Sequence, residues 1–463
     1  MPRHHLPSRA RTRGVVALAA LTALGAGACS NFLEVPNPSA VQVDQLADSL
    51  NAPSLVSGSI GLFQTMVATS ALWSSVLSDE TRAAHVNISY GPIDQRNISN
   101  LNDLLNAPYN AIQRARFAAD TVGDRIKGYA NNNFATDLRV ARMRAMGGYA
   151  YMLLGETFCS APINRQAPQT PQQLFEAALP RFDEAIAIVR AAKAAGNNAA
   201  AGDSILGLAL VAAARTSLDL GDVARARTYA SQVTAPFNEY RTYYTEGIPA
   251  STQSPVNPYY NGMGSPIAST ANTGNATGGF SYAAGALWVV VDSAFVGLND
   301  PRVPTTVRRI NAMNGTSQFV PNKPRSFGGY VAPTAAQPGG AAMTPGASIR
   351  VASLLEAQYI LAEANAGNAA TLAFVNQQRT ANGQGLSTAT TPAQILADLR
   401  DQRRREFYLD GHRLGDLRRY KRSYNVDQFP TGNYYTGGTY GTSECFPVPI
   451  NELNDNPNGG SGS

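Results

Sequence analysis

Apolar residues recur every three or four positions along two long parts of the chain. Ile60, Phe63 and Val67 illustrate this spacing in residues 41–240, and the same period returns in residues 348–420. Such spacing is typical of helices that bury one face. The pattern therefore predicts a mostly helical protein with two helical regions.

Three Ala-rich stretches of these regions end at a glycine, namely Gly155, Gly221 and Gly367. A glycine after the last turn suits a left-handed helix C-cap, and after the second and third of these glycines another helix follows directly. Such helix pairs resemble degenerate tetratricopeptide repeats, which bury their faces by stacking on neighbours. The period is not regular, so any α-bundle with Ala-rich contacts is an alternative.

The segment between the helical regions, residues 241–347, has a different character. Residues 249–291 contain no Asp, Glu, Lys, Arg or His and are rich in small polar residues, Gly and Pro. Embedded aromatic residues such as Trp288 argue against a disordered linker. We predict an ordered, loop-rich subdomain packed on the helices. The tail, residues 421–463, is again rich in Gly, Tyr and Pro.

The N-terminus has the pattern of a removed export signal. Residues 1–13 contain four Arg and no acid, and residues 14–28 are uncharged and apolar or small. The uncharged run is too short to span a membrane, which takes about 20 residues, but it suits a signal peptide. Its end resembles the lipobox of bacterial lipoproteins. We therefore predict removal of residues 1–28 and a palmitate-bearing lipid on Cys29; an ordinary cleavage site is the alternative.

Composition and charge exclude several classes of protein. Apolar residues make up 44% and charged residues 15% of the chain, which does not suit a charge-driven disordered protein. The formal charge of +5 would suit a nucleic-acid partner. The four Arg of the signal segment are lost without any acid, however, so the mature chain carries only +1. We expect no nucleic-acid partner.

Two cysteines remain in the mature chain, Cys159 and Cys445. Exported proteins meet an oxidising environment, in which an even pair can form a bridge. We predict a disulfide between the first helical region and the tail, with two buried free thiols as the alternative.

Few residues suit catalysis. The mature chain has two His, His85 and His412, whereas a zinc site needs three or four clustered ligands and a Ser-His-Asp relay needs an available His. Glycoside hydrolysis requires only two carboxylates. Asp79 and Glu80 are adjacent, however, and adjacent side chains on regular structure point in different directions. We interpret them as braces of a helix and expect no catalytic residue, metal or cofactor.

Five segments of the chain resemble the SusD/RagB family. Residues 31–38 are similar to its N-terminal Leu- and Pro-containing strip, residues 300–302 match its Asp-Pro-Arg, and residues 350–379 resemble its last helical repeat. Residues 402–420 are the most specific, because they resemble the family's Glu-Gly-x-Arg, Asp-Leu and Arg-Trp series. Residues 446–457 are similar to its closing Pro-x-Pro, Glu and Asn-Pro signature.

Residues 402–420 depart from the family series at Gln402, Phe407, Asp410 and Tyr420, all of which keep the size or polarity class of the usual residue.

The resemblance implies a single SusD-like domain over residues 29–463, a helical superhelix of degenerate tetratricopeptide-like repeats with a loop-rich insertion. It also implies an outer-membrane lipoprotein that faces the cell exterior. Such proteins capture oligosaccharides, or in some members peptides, for a SusC-type TonB-dependent barrel, and they have no catalytic activity. A helical-repeat scaffold for surface proteins and a secreted glycosidase are the alternatives.

Candidate ligand contacts are aromatic side chains, which offer flat apolar faces to sugar rings, and one neighbouring amide. They are Trp73, Tyr90, Asn257, Tyr259, Tyr260, Tyr282, Tyr434 and Tyr435. For Trp73 a core position is an equal alternative, and tyrosines in neutral loops also suit a large protein interface. The lack of charge in residues 249–291 favours a neutral ligand.

Residues 398–416 mix basic and acidic side chains, which indicates a salt-bridge network rather than a basic patch. We predict that this network fixes the last helix to the repeats. Its predicted members are Arg405, Glu406, Arg413 and Asp416.

Overall fold

The computed structural model describes most of the chain after residue 48. The described residues are 49–83, 89–129, 132–244, 289–310, 317–321, 346–435 and 437–459. The chain divides into two compact units, Met1–Asn51 and Ala52–Ser463. Of the first unit only the 3₁₀ turn Ser49–Asn51 is described.

Helices dominate the second unit. In the described residues they are α1 (Ala52–Leu77), α2 (Tyr90–Asp94), α3 (Asn106–Lys127), α4 (Leu138–Thr157), α5 (Pro171–Ala194), α6 (Ala199–Asp219), α7 (Val223–Ala230), α8 (Leu354–Ala364), α9 (Ala369–Ala381), α10 (Pro392–Glu406), α11 (Arg413–Tyr424) and α12 (Ile450–Asp455). The predicted mostly helical fold is confirmed. The tail, which is predicted to be rich in loops, contains the short helix α12.

Two of these helices begin with the same sequence device. Thr170 precedes α5 and Thr391 precedes α10. Each Thr is followed directly by Pro, and the third residue after each Thr is Gln. The threonine hydroxyl accepts from the Gln backbone N–H, and the Gln side chain accepts from the threonine N–H. This capping box satisfies donors at the helix end that would otherwise lack partners, while Pro has no N–H to satisfy.

Short strands, which the pattern did not predict, connect distant parts of the chain. They are β1 (Thr81–Ala83), β2 (Ala161–Pro162), β3 (Pro168–Gln169), β4 (Glu239–Arg241), β5 (Val289–Val291), β6 (Thr305–Ile310), β7 (Ser317–Pro321) and β8 (Arg350–Ser353). They form antiparallel pairs: β1 with β5, β2 with β3, β4 with β8, and β6 with β7. Because β4 and β8 pair, the long segment between them leaves and returns to the helices at adjacent points.

Successive helices pack on one another from α3 to α7, and α7 also packs on α8. Glycines permit the close approach of α4 and α5. A Cβ on Gly155 would lie 2.5 Å from a ring carbon of Phe175, and one on Gly148 would lie 2.7 Å from Phe182. The prediction of a C-cap at Gly155 is therefore wrong, because α4 continues to Thr157 and this glycine serves helix packing.

The other two predicted helix ends are confirmed. Gly221, with a φ of +78°, follows α6, and Gly367, with a φ of +77°, follows α8. A left-handed conformation of this kind costs glycine nothing, whereas a side chain would be strained.

Two stretches, Ser49–Leu77 and Ala199–Asp219, are long and apolar enough to cross a membrane. The helices in both stretches, α1 and α6, contribute many side chains to the hydrophobic core. Their apolar character is therefore explained by burial inside the protein.

Candidate ligand-binding site

The tail is fixed to the end of α4. Cys159 and Cys445 form a disulfide with their Cα atoms 5.1 Å apart. Two backbone hydrogen bonds flank it: the Cys159 N–H donates to the Phe446 carbonyl, and the Phe446 N–H donates to the Thr157 carbonyl, both at 2.9 Å. These contacts position the residues before Cys445 against the helical body.

The segment at residues 402–420 forms buried ion pairs with other elements. Arg413 donates from Nε and Nη2 to the two carboxylate oxygens of Asp79, at 2.6 and 2.7 Å. Asp416 accepts from Arg403 at 2.8 Å and from Arg419 at 2.8 Å. Burial alone would raise the pKa of Asp416, but the two guanidinium groups hold that pKa far below its usual value.

The other two predicted network members also have ionic partners. Glu406 accepts from Arg350 on β8 at 3.0 Å. Arg405 lies 2.9 Å from Asp401 and 3.3 Å from Asp300. The structure therefore places all four predicted residues in ion pairs, which link α11 to Asp79 after α1 and α10 to Arg350 on β8.

His412 lies inside this network and is 1% exposed. Its Nδ1 is 2.6 Å from Asp410 Oδ1, and its Nε2 is 3.0 Å from Glu356 Oε1. Its ring stacks on Phe407 with centroids 4.8 Å apart. A buried imidazole of this kind stabilises the helix junction and has no surface to offer a substrate.

The adjacent carboxylates Asp79 and Glu80 are both used for structure. Asp79 binds Arg413, and Glu80 accepts from the Leu409 N–H at 2.8 Å. Burial raises the pKa of Glu80 well above its ordinary value. Asp79 thus fixes the first residue of α11, and Glu80 fixes the segment before this helix.

The candidate ligand contacts differ in how exposed their side chains are. Trp73 and Tyr434 are each only 6% exposed, which argues against both as direct contacts. Trp73 packs on half-buried Tyr90 with ring centroids 5.1 Å apart. Tyr435 is 45% exposed and can offer its ring to a ligand. Outside the described residues lie Cys29, Asn257, Tyr259, Tyr260 and Tyr282.

Tyr435 is held by three neighbours. Its hydroxyl donates to the Ala83 carbonyl at the end of β1, and its ring lies 4.5 Å from that of Tyr434. The Arg82 guanidinium lies over the Tyr435 ring, 4.9 Å from the centroid. We call Arg82, Tyr434 and Tyr435 the tyrosine platform. Its geometry holds an exposed aromatic ring in one orientation.

Polar groups surround the tyrosine platform. Asp94 Oδ2 accepts from the Tyr434 hydroxyl at 2.8 Å and from the Ala83 N–H at 2.9 Å. Burial raises the pKa of Asp94 to about 7 and also raises the pKa of Asp292, which follows β5. Sequence reasoning did not identify Arg82, Asp94 or Asp292, because no local pattern links them to the tail.

The loop that contains Tyr435 is docked on the end of α2. Gln95 donates to the Thr439 carbonyl at 2.9 Å. Arg96 donates to the carbonyls of Pro430 at 2.6 Å and Ser443 at 2.9 Å, and its guanidinium lies 4.5 Å from the Phe429 ring centroid. The tyrosine platform therefore depends on contacts between α2 and residues 429–443.

Two other features of the described residues bear on ligand binding. No group of three or more His, Cys, Asp or Glu in this part of the chain could hold a metal ion. A cleft of about 200 Å³ is lined by Arg418, Lys421, Arg422 and Glu444. Arg418 and Arg422 donate there to carbonyls at the ends of α4 and α6, which is a structural use of their charge.

The stacked helices, the docked tail and the exposed tyrosine platform define a helical-repeat protein with a surface suited to binding. Residues 356–458 match the model of the SusD family. No curated protein sequence matches the chain.

Solved structures extend the likeness to most of the chain. A SusD homologue from Bacteroides thetaiotaomicron is 15% identical with a TM-score of 0.63, over 89% of this chain and 97% of that chain. A laminarin-binding SusD-like protein is 13% identical with a TM-score of 0.59, over 87% of this chain and 97% of that one. A SusD-like carbohydrate-binding protein from Bacteroides fragilis is 13% identical with a TM-score of 0.55, over 89% of this chain and 99% of that chain.

At these identities the structures show the fold, and the family match covers the segment with the most specific motifs. The resemblance to the SusD/RagB family is confirmed.

Proposed function

We propose that this protein is a surface-exposed outer-membrane lipoprotein that captures oligosaccharides, or peptides, and delivers them to a SusC-type TonB-dependent transporter. It acts by binding and release, without catalysis. The observation that carries the proposal is the ring of Tyr435, which is exposed yet held by Arg82, Tyr434 and Ala83. A ring that is already ordered loses little entropy when a ligand stacks on it.

Polar groups beside the ring suit a glycan. The Arg82 guanidinium makes no hydrogen bond to any described residue, so its N–H groups are available to accepting hydroxyls. Asp292 accepts from the Ala294 N–H through Oδ1, and its other oxygen can accept from a sugar hydroxyl. Stacking together with hydrogen bonds to hydroxyls is the chemistry that a neutral pyranose requires. The laminarin-binding relative supports a glycan as the first ligand to test.

A glycan and peptide array first identifies ligands of the wild-type protein. Titration calorimetry with laminarin oligosaccharides then tests binding at the tyrosine platform. We expect Tyr435→Ala to weaken affinity by about tenfold or more, as for a central aromatic contact. Tyr435→Phe should retain most of the affinity because it keeps the ring. The control is Tyr243→Ala, which removes another tyrosine that is 69% exposed. Equal affinity of Tyr435→Ala and wild type for every hit would refute the platform as the binding site.

The anchor and the partner need separate tests. Cys29→Ser should prevent lipid labelling and release the protein from the membrane fraction. A TonB-dependent barrel should co-purify with the wild-type protein from detergent-solubilised membranes. Co-purification of other surface proteins without a barrel would favour the scaffold alternative, and turnover of a glycan by the purified protein would establish a glycosidase.

The loop residues Asn257, Tyr259, Tyr260 and Tyr282 remain proposed contacts. Their neutral, aromatic composition suits the same ligand. Tyr260→Ala, measured on any hit of the array, tests whether this segment contributes to affinity.

A further inference from the structure

Asp94 is a buried carboxyl group without a cationic partner among the described residues. It is 3% exposed, and no described Arg, Lys or His lies within ion-pair distance of it. The Tyr434 hydroxyl and the Ala83 backbone amide donate to the same oxygen of Asp94, and the Tyr435 hydroxyl also interacts with this carboxyl group. Burial of a carboxylate without a counter-charge is costly, so such a site favours the neutral acid.

The groups that face Asp94 act in both directions: the hydrogen bonds from Ala83, Tyr434 and Tyr435 lower the pKa of Asp94, but burial outweighs them. Asp292, beyond β5, adds a negative charge that raises the pKa of Asp94. Tyr434, Tyr435 and Tyr440 on the tail are phenols that stay neutral in the physiological range, because burial raises the pKa of each. Arg82 on β1 lies over the Tyr435 ring and does not pair with Asp94.

Three elements meet at Asp94. It lies at the end of α2, its amide donor lies on β1, and its phenol donor lies in the tail, 340 residues away in sequence. Release of the tail would expose this carboxyl group to water. Docking of the tyrosine platform is thereby linked to the charge on a single side chain.

We propose that Asp94 is a positioning residue that holds the tyrosine platform as a neutral carboxylic acid, so that its ionisation loosens residues 429–443 and weakens glycan binding. The effect on glycans rests on the proposed function; the effect on the loop does not.

The direction of the pH dependence follows from linkage. The pKa of Asp94 is about 7 in the docked state and about 3.9 when exposed to water. The docked state therefore binds the proton more tightly than the released state. The equilibrium constant for docking falls as the pH rises from about 4 to 7 and then stays level. Each unit of pKa difference corresponds to about a tenfold change in the docking equilibrium.

The experiment measures hydrogen exchange of peptides covering residues 429–443 at pH 5 and pH 8, corrected for intrinsic exchange rates. In the wild type we expect protection to fall by about tenfold or more between the two pH values. Asp94→Asn is neutral and nearly isosteric, and it should keep the pH 5 level of protection at both. Asp103→Asn, a neutralised acid that is exposed, should behave as the wild type.

A second arm measures laminarin oligosaccharide affinity at the same pH values. We expect weaker binding by the wild type at pH 8 than at pH 5, and equal binding by Asp94→Asn at both. If no glycan binds at all, the proposed function is refuted but the inference about Asp94 is not. The hydrogen-exchange measurement needs no ligand and tests the role of Asp94 by itself. Protection that does not change with pH in the wild type, or an Asp94→Asn protein that fails to fold or releases the loop at both pH values, overturns the inference.

Discussion

Arg413 on α11 binds Asp79, which lies 334 residues earlier and follows α1, through two parallel hydrogen bonds of 2.6 and 2.7 Å. Both side chains are buried. In a bidentate pair of this kind the planar guanidinium matches both carboxylate oxygens. The contact joins the segment most typical of the family to the turn that follows the first long helix of the described chain.

Replacement of Arg413 by Ala should destabilise the protein by about 3–5 kcal/mol, because Asp79 would remain buried without its counter-charge. The measurement is the melting temperature together with the denaturant midpoint. Ligand affinity per folded molecule should not change, since Arg413 is absent from the tyrosine platform. Lower affinity with unchanged stability would contradict a structural role.

Arg139→Ala is the matched control for that variant. Arg139 pairs with Asp137 at the protein surface, where water already solvates its guanidinium. We expect a loss of at most about 1 kcal/mol. If Arg139→Ala lowers the free energy of unfolding as much as Arg413→Ala does, burial of an ion pair does not determine its contribution to stability.

Gly155→Ala should also be destabilising, by about 1–3 kcal/mol, because the added methyl group would overlap the Phe175 ring. The comparison is Gly58→Ala on α1, where no atom lies within 4 Å of the new Cβ. That change should stabilise the protein by roughly 0.5–1 kcal/mol through helix propensity. Equal denaturant midpoints for the two variants would show that α4 and α5 can separate at little cost.

The sequence predicted features that local chemistry determines. Gly221 and Gly367 follow helices at left-handed positions, as their place after apolar stretches indicates. The same reasoning failed for Gly155, because its partner is Phe175 on the next helix and no local signal distinguishes a packing glycine from a cap. The charge-mixed segment indicated ion pairs, but it did not reveal Asp79 as the partner of Arg413.

The candidate site was the hardest part to predict. Tyr435 was identified as a possible contact from its type and its loop, but its supports are Arg82 and Ala83, about 350 residues away. Pairing of β1 with β5 is equally non-local, and three-residue strands are too short to show an alternating pattern. Both features depend on tertiary contacts between distant segments. Such contacts leave no periodic pattern in the local sequence, so they could not be predicted from it.

Loss of the disulfide should loosen the tail more than the helices. The bond between Cys159 and Cys445 closes a loop of 286 residues, for which chain entropy gives an upper value of roughly 6 kcal/mol. We expect the double variant Cys159→Ser, Cys445→Ser to unfold at lower denaturant concentration. Hydrogen exchange should increase first in residues 429–459; uniform exchange over the whole chain would contradict local anchoring.

We expect the ionisation of His412 to make the stability of the protein depend on pH, in addition to the pH dependence expected from Asp94. Burial and Arg215 lower the pKa of His412, but Asp410 and Glu356 outweigh them, so that the pKa lies above its ordinary value. The folded state therefore binds this proton more tightly than the unfolded chain, whose histidine titrates near 6.5. The stabilisation is complete below about pH 6.5 and is lost as the pH rises through the raised pKa of the folded state.

The free energy of unfolding of the wild type should therefore fall as the pH rises above about 6.5, and His412→Gln should flatten this slope. Asp94 does not interfere, because its own contribution is level above about pH 7. His412→Gln should destabilise the protein more at pH 6 than at a pH above the raised pKa of the folded state, since it removes a cation that two buried carboxylates share only while the imidazole is protonated. Parallel pH profiles for the two proteins would mean that His412 remains neutral in the folded state.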